Sequence, residues 1–416
     1  MRILFVGIDL TRNDMIKSVS PACKQADCYF LENFNESEVS ESLAHTFGTI
    51  IFWKNYTDAF LLLQKIQPDK IIFQLIDNYY HIALFFAAKY LSKIPVWYMD
   101  HGIKYEHVIY NIEQIESEIP QQLSRTLFGK NIKSYIAFVK NSFFRNTKDL
   151  LPYPFRKIIM QIFNSRSKNN FAVFMQQCGH FLQPDSFIVY SHETFSFYRH
   201  LFSLPENYEQ SNAVYFVGIP ALDNLNWLKI YKPEAEIEYF LLIDQVLHEQ
   251  CLMGWTEEKK LEFLIGLVNH LQKFNLKLKI KPHPWNSQYY DKLPNDVKSN
   301  VFLIQDITPE SIKGVNMVAS FNSTLLLAFC ACPNFKVMCL EMHPQVLEPS
   351  FSYGITKFGV AQEIKSFQEF NNFILNNEQE NLTIKNVKIM EFTNIMLYKF
   401  DSCSSNRYNE AILKMS

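Results

Sequence analysis

Short apolar runs, rich in β-branched and aromatic residues, alternate along this chain with longer stretches whose apolar positions recur at helical spacing. That alternation is the habit of parallel α/β sheets, whose strands are buried on both faces and so read as continuous hydrophobic runs. In the first half it predicts strands near Ile3–Gly7, Thr49–Trp53, Lys70–Gln74, Val96–Met99, Phe187–Tyr190 and Val214–Val217. In the second half it predicts strands near Glu238–Ile243, Leu276–Ile280, Val301–Ile304, Met317–Ala319 and Lys336–Leu340. Helices are expected over Asp58–Gln67, ending before Pro68, and over Ile82–Lys93. The strongest helix is Glu257–Phe274, where Leu261, Leu264, Ile265, Val268 and Leu271 keep one side apolar.

The pattern breaks around Asp223–Glu236, where Pro233 interrupts it, and each side of the break carries its own βα series. A chain of 416 residues exceeds one ordinary core. The expectation is two α/β domains: residues 1–228, with a basic helical insertion around 125–185, and residues 229–416. No internal repeat is visible. The first strand runs into Gly7-Ile8-Asp9-Leu10-Thr11-Arg12, an ordinary βα loop without the GxGxxG of dinucleotide sites.

Composition narrows the picture. Hydrophobic residues make up 48% and charged residues 20%, and the formal net charge of −2 gives no whole-chain signal for nucleic acid. Cys23, Cys28, Cys178, Cys251, Cys330, Cys332, Cys339 and Cys403 form no CxxC pair, which suits buried free thiols in a reducing compartment. The amino terminus begins directly as a strand, without the charge-then-apolar order of a signal peptide. The longest apolar stretch, Met317 to Phe335, is broken by Ser320, Asn322, Ser323, Thr324 and Pro333 and makes a poor membrane span. A cytoplasmic protein is expected.

One segment departs from the βα rhythm. From Lys130 to Lys168, Lys130, Lys133, Lys140, Arg145, Lys148, Arg156, Lys157, Arg166 and Lys168 are opposed only by Asp149, with Phe138, Phe143, Phe144, Tyr153, Phe155 and Phe163 interleaved. Such a stretch can lie on an anionic membrane surface. The alternative is a helical insertion with a solvated basic face.

Candidate chemistry gathers at strand ends, where open α/β sheets bind ligands. Lys281-Pro282-His283-Pro284 follows a second-half strand; the two prolines hold His283 in an extended pose, and its imidazole, with the Lys281 ammonium, suits a phosphate. Ser320-Phe321-Asn322-Ser323-Thr324 follows the next central strand, offering hydroxyls where a helix begins. In the first half, Asp100-His101-Gly102 follows Tyr98-Met99: either Asp100 or His101 is a competent general base, and Gly102 permits a tight turn or close ligand approach. Gly218, in Val217-Gly218-Ile219-Pro220, is a candidate for close approach of a ligand or a hinge, and Glu193 follows a first-half strand as an acceptor-side candidate. His343-Pro344 repeats the His-Pro pair at another strand end, as a weaker nucleotide-site candidate. There is no P-loop, HExxH, zinc spacing, GxSxG or convincing DxD pair, so chemistry without metal or bound cofactor is expected.

These motifs together resemble bacterial surface-polysaccharide transferases of the two-domain GT-B fold, in particular the CMP-sugar-dependent sialyl-, polysialyl- and Kdo-transferase families of capsule and lipopolysaccharide synthesis. The resemblance rests on the His-Pro motif at Lys281–Pro284, on Asn322-Ser323-Thr324, and partly on Asp100-His101-Gly102, where the sialyltransferase pattern prefers two acidic residues before the glycine. It implies two facing Rossmann-like domains with an interdomain cleft, residues 1–228 taking the acceptor and 229–416 the donor. It implies an inverting transfer of a 3-deoxy-ulosonic acid (sialic, pseudaminic or Kdo type) from a CMP-sugar co-substrate to a glycan or glycolipid acceptor. Asp100 or His101 would then deprotonate the acceptor, His283 would assist CMP departure, and Ser323 and Thr324, with Ser320 nearby, would hold the phosphate. A lipid-linked acceptor would place the enzyme peripherally on the inner membrane through 130–168. His101-Gly102 with Gly218–Asp223 also resembles the CDP-glycerol and CDP-ribitol phosphotransferases of teichoic-acid synthesis, in which the histidine is the base. Further alternatives are a nucleotide-sugar epimerase and a non-catalytic capsule-assembly scaffold.

Overall fold

The computed structural model describes all residues except 33–38, 75, 77, 101, 103, 106–140, 169–170, 212, 234–237, 250–251, 284–287, 347, 376–381 and 416. The chain divides into two compact units. One comprises Met1–Lys104, Ser124–Pro220 and Cys403–Ser416; the other comprises Tyr105–Leu123 and Ala221–Ser402.

The first unit is built on seven strands: β1 (Arg2–Val6), β2 (Asp27–Glu32), β3 (Thr49–Phe52), β4 (Lys70–Phe73), β5 (Val96–Met99), β6 (Ser186–Val189) and β7 (Ala213–Phe216). They lie in the order β3-β2-β1-β4-β5-β6-β7, every ladder parallel. Ile3, Leu4, Phe5, Val6, Ile71, Ile72, Phe73, Phe187 and Ile188 are all buried, because helices cover both faces of a parallel sheet.

The second unit carries six strands: β8 (Tyr239–Ile243), β9 (Lys277–Lys281), β10 (Val301–Leu303), β11 (Val315–Ser320), β12 (Lys336–Leu340) and β13 (Gln362–Ile364). Their order is β10-β9-β8-β11-β12-β13, again wholly parallel. The helix Glu257–Gln272 starts where Thr256 caps it, its hydroxyl accepting from Lys259 N (3.4 Å). It buries Phe263, Leu264, Leu267, Val268 and Leu271 against Leu242, Leu278, Ile280 and Phe370. Both sheets follow the order 3-2-1-4-5-6 of a Rossmann sheet, the first with one strand added at its far edge. The chain is therefore an α/β protein with two parallel, Rossmann-like sheets.

The division between units falls at Pro220 and Ala221, and the chain returns to the first unit at Cys403, so residues 403–416 do not belong with the second sheet as a simple split after 228 would have it. The cause is the C-terminal helix Ser404–Leu413, whose Tyr408, Ala411 and Ile412 are buried in the first unit's core. Polar contacts lock it there. Asn409 Oδ1 accepts from Ala22 N (2.9 Å), its Nδ2 donates to Ser18 O (3.1 Å), and buried Lys70 donates to Lys414 O (2.7 Å) with its ammonium 4.0 Å from the Trp97 ring centre. Burial pushes the Lys70 amine down to about 8.

This helix also accounts for Gly218, which was a ligand candidate on sequence grounds. Its φ is +81°, and a Cβ there would meet Ser404 Oγ at 2.5 Å, while Arg407 Nε donates to Val217 O (3.0 Å). The glycine answers to the packing of the C-terminal helix.

Of the basic aromatic stretch, residues 130–140 lie outside the described residues. The remainder is helical at 141–150 and Tyr153–Lys168. Phe143, Ile159 and Ile162 are fully buried; Phe143 meets Trp53 edge-on (4.9 Å) and Phe144 packs on Tyr79 (5.7 Å) and Phe163 (5.3 Å). Much of the apolar side of the described stretch thus serves the unit's own core, leaving Leu150 and Tyr153 exposed. No helix among the described residues is long and apolar enough to cross a membrane.

Replacing Gly218 by alanine is expected to destabilise the protein by about 1–3 kcal/mol in urea unfolding, from the left-handed φ and the blocked Ser404 hydroxyl together. Adding Ser404→Gly should recover part of that loss, since only the steric share depends on the hydroxyl. Full stability in the single variant would show that this helix does not pack as described.

Candidate functional site

In the second sheet the strand order reverses between β8 and β11, so a crevice is expected outside their carboxyl ends. Register makes the ends level. Ser320 at the end of β11 pairs with Ile243 at the end of β8, which pairs with Lys281 at the end of β9. Two bonds pin this row: Ser320 Oγ donates to Ile243 O (2.7 Å), and Asp244 N donates to Lys281 O (3.0 Å). The two clusters singled out in the sequence, Lys281–His283 and Ser320–Thr324, therefore leave the sheet on either side of Asp244.

Their side chains divide by role. Ser320 is fully buried and its hydroxyl is committed to β8, so it positions the turn and does not present a donor to a ligand. Ser323 is buried, its Oγ accepting from Leu325 N (3.3 Å) at the start of the short helix Leu326–Cys330. Asn322 and Thr324 are half-buried. Lys281 donates to Pro282 O (3.0 Å); burial lowers its amine, and Asp306 partly opposes the shift. His283 is half-buried, and Pro284 lies outside the described residues.

The residue between the clusters, Asp244, was not singled out in the sequence. Its carboxylate is 2% exposed and accepts from Lys260, whose side chain is 0% exposed, and from the Tyr290 hydroxyl. The Lys260 ammonium also lies 5.2 Å from the Phe321 ring centre and 5.7 Å from that of Trp255. Two buried charges are tolerable only when paired and hydrogen-bonded, and here each supplies the other's partner. The pair fastens the end of β8 to the helix Glu257–Gln272.

Beside this row, a pocket of about 550 Å³ opens at the ends of β12 and β13, its walls including Trp255, Phe263, Glu341, His343 and Phe367. The His343 side chain is 4% exposed and its Nδ1 accepts from Trp255 Nε1 (2.9 Å). That bond leaves the proton of the neutral ring on Nε2. Nε2 is buried without a hydrogen-bond partner, 3.6 Å from Glu341 Oε2. Burial, with the Lys260 ammonium nearby, pushes His343 down to about 4. Burial likewise raises Glu341 to about 7, although Ser352 N donates to its Oε1 (2.6 Å). At neutral pH the imidazole is uncharged and the carboxyl is half-protonated.

In the first unit, Asp100 does stand at the end of β5, but its side chain is turned inward. It is fully buried, Oδ1 accepting from Tyr198 Oη (2.8 Å), while Tyr408 Oη donates to its backbone oxygen (3.0 Å). Burial, with the Asp100 carboxylate adjacent, pushes the Tyr198 phenol well above its ordinary range. Asp100 thus organises the unit's interior, and that placement withholds its carboxylate from a substrate hydroxyl. His101 lies outside the described residues. A Cβ on Gly102 would meet nothing within 4 Å, so no neighbour demands glycine there. Glu193 is buried in the first turn of the helix His192–Leu201, four per cent exposed. Among the described residues, no group of three or more His, Cys, Asp or Glu is placed to hold a metal ion.

No protein-family model matches this chain, and no curated protein matches it. Among solved structures it is similar to the glycotransferase of kitacinnamycin, at 9% identity and a TM-score of 0.49 over 100% of this chain and 99% of that one. It is similar to the wall teichoic acid polymerase TagF, at 10% identity and a TM-score of 0.46 over 99% and 88%. It is also similar to Anabaena Alr3699/HepE in complex with UDP and glucose, at 10% identity and a TM-score of 0.44 over 99% and 99%. At such identities and scores the likeness is loose, and the fold is carried by the strand orders themselves.

Proposed function

We propose that this protein is a nucleotide-sugar-dependent glycosyltransferase whose donor site lies at the carboxyl ends of β8, β9 and β11. The observation that carries the reading is the level row Lys281–Ile243–Ser320, which sets an imidazole-bearing segment and a hydroxyl-bearing turn on either side of one strand end. That is the place where a Rossmann sheet offers a ligand its crevice. Imidazole and hydroxyl donors suit a phosphate that gains charge as its bond to the sugar breaks.

The specific donor we infer is a CMP-linked 3-deoxy-ulosonic acid, and the acceptor a hydroxyl of a surface glycan or glycolipid. The acceptor oxygen attacks the anomeric carbon while the C–O bond to CMP breaks, its electron pair leaving with the phosphate and the configuration inverting. His283 donates to the departing phosphate, and Ser323 and Thr324 steady it. Buried Asp100, already bonded to Tyr198, leaves His101 as the base that takes the acceptor proton. The Asp244–Lys260 pair holds the strand end on which these groups are mounted.

A thermal-shift screen with CMP, CDP, UMP, UDP, ADP and NAD tests the donor site. A ligand at ~100 times its Kd adds about 2.7 kcal/mol to the folded state. CMP and CDP are expected to stabilise the protein, with the shift lost in His283→Ala and reduced in Ser323→Ala. A response confined to UDP would reassign the donor to a UDP-sugar, and no nucleotide response would favour a non-catalytic scaffold. Where a CMP-sugar is turned over, His101→Ala is expected to lower transfer by about 10²–10⁴-fold with CMP binding intact, as loss of a general base does. Unimpaired transfer in that variant would remove His101 from the mechanism.

A further inference from the structure

The pocket beside the row of strand ends has features that phosphate binding does not use. It is walled by the rings of Trp255, Phe263 and Phe367 together with Met342, and its volume of about 550 Å³ is that of a small-molecule site. One polar group in its lining is unsatisfied: His343 Nε2–H, buried, with its tautomer set by Trp255. A buried donor without a partner is costly, and an acceptor brought by a ligand would relieve that cost. Phe321 ties this pocket to the hydroxyl-bearing turn. Its ring centre lies 5.1 Å from that of His343 and 5.2 Å from that of Trp255, and the next residues along the chain are Asn322 and Ser323.

We propose that this pocket seats the pyrimidine base of the donor nucleotide, the ring lying among Trp255, Phe263 and Phe367 and the carbonyl shared by cytosine and uracil accepting from His343 Nε2–H. The proposal rests on the nucleotide reading of the adjacent strand ends and gives it a base-recognition site. An anionic group is disfavoured, because the nearest lysines are engaged. Lys260 is paired with Asp244, Lys365 with Glu363 (2.8 Å), and Lys259 donates to Gly254 O (3.1 Å). A purely aliphatic group would fill the walls but leave the histidine donor unmet. A flat, uncharged ring with a carbonyl satisfies both.

Glu341 makes this seat sensitive to pH. It faces His343 and the Ser352 amide, with Glu363 on β13 also raising it, Lys365 paired to Glu363, Lys260 beyond the imidazole, and Lys259 and Glu262 lining the pocket from the helix. As pH rises through about 7 the Glu341 carboxyl ionises, and its Oε2, 3.6 Å away, competes with the base for the histidine proton. His343, titrating near 4, stays neutral throughout this range.

Calorimetric titration of the full-length protein with cytidine, uridine, adenosine and CMP tests the proposal. His343→Asn keeps an acceptor for Trp255 and deletes the far donor; it is expected to weaken cytidine and CMP alike by about tenfold. Ser323→Ala should weaken CMP while sparing cytidine. Between pH 6 and 8.5 wild-type affinity for cytidine should fall several-fold, and Glu341→Gln should flatten that dependence, a readout that stands if His343→Asn fails to fold. If CMP binds but neither His343→Asn nor Glu341→Gln alters it, the base is elsewhere and the nucleotide reading survives. If cytidine binding depends on His343 while CMP gains nothing from Ser323, the base seat stands and the phosphate site falls. Equal binding of adenosine overturns the pyrimidine assignment, and no binding of any nucleoside or of CMP overturns both readings.

Discussion

The second unit depends on one buried ion pair. Asp244 and Lys260 are both out of water, and neither could remain charged there without the other. Such a pair is weak evidence for added stability, because desolvating two ions offsets most of their attraction. Its effect is positional. Asp244 is the first residue beyond β8, between the Lys281–His283 and Ser320–Thr324 segments, and Lys260 lies in the first turns of the helix Glu257–Gln272. Joining them fixes where that helix begins, and so where Trp255 and Phe263 stand. Trp255 in turn selects the His343 tautomer, and the Lys260 charge helps keep that imidazole neutral.

The first unit has the same strand order but fills the end of a central strand differently. There a buried aspartate is met by two tyrosine hydroxyls, one from the helix His192–Leu201 and one from the C-terminal helix. The Tyr198 hydroxyl meets the carboxylate and the Tyr408 hydroxyl the backbone oxygen, so neutral donors serve the buried residue without a second charge to desolvate. The chain's last helix is thereby part of the first unit's core, so removing it would expose both Asp100 and the Lys70 amine. Similar topology therefore places chemically similar residues at strand ends while leaving their accessibility to the packing around them.

Much of the fold was legible because buried parallel strands advertise themselves. The eleven expected strands are all present, most within a residue or two, since runs such as Lys70-Ile71-Ile72-Phe73 fit little else. The two strands not read are β2 and β13. Edge strand β13 is Gln362-Glu363-Ile364, with a single apolar residue, whereas β2 does carry an apolar run, Cys28-Tyr29-Phe30-Leu31, closed by an acidic residue at each end. The convergence of Lys281–His283 with Ser320–Thr324 was legible for a similar reason, because a run of hydrophobic residues also marks where its strand stops. The pocket was not, since Trp255, Glu341–His343 and Phe367 come from three separated segments. Only His343-Pro344 gave a trace of it. Asp100 shows the opposite limit: its place at a strand end was readable, but the inward turn of its side chain is met by Tyr198, far away in sequence.

Within the second unit, the interior settles its ionisable groups in two ways only one side chain apart. Asp244 and Lys260 are joined as an ion pair, whereas Glu341 and His343 are pushed by burial toward their neutral forms. The difference follows from geometry. The first pair is in direct contact; the second is separated by 3.6 Å with Trp255 already holding the imidazole's other nitrogen. A charged, internally satisfied pair has little left to give a ligand and serves as a mount. A neutral imidazole with one donor unmet is chemically unfinished, and the aromatic walls around it define what can complete it: a flat ring with an acceptor at its edge. The mount carries the row of strand ends where phosphate chemistry is proposed, and the unfinished imidazole lies next to it, across Phe321. A nucleotide, anionic at one end and flat and neutral at the other, matches that division of labour along its own length.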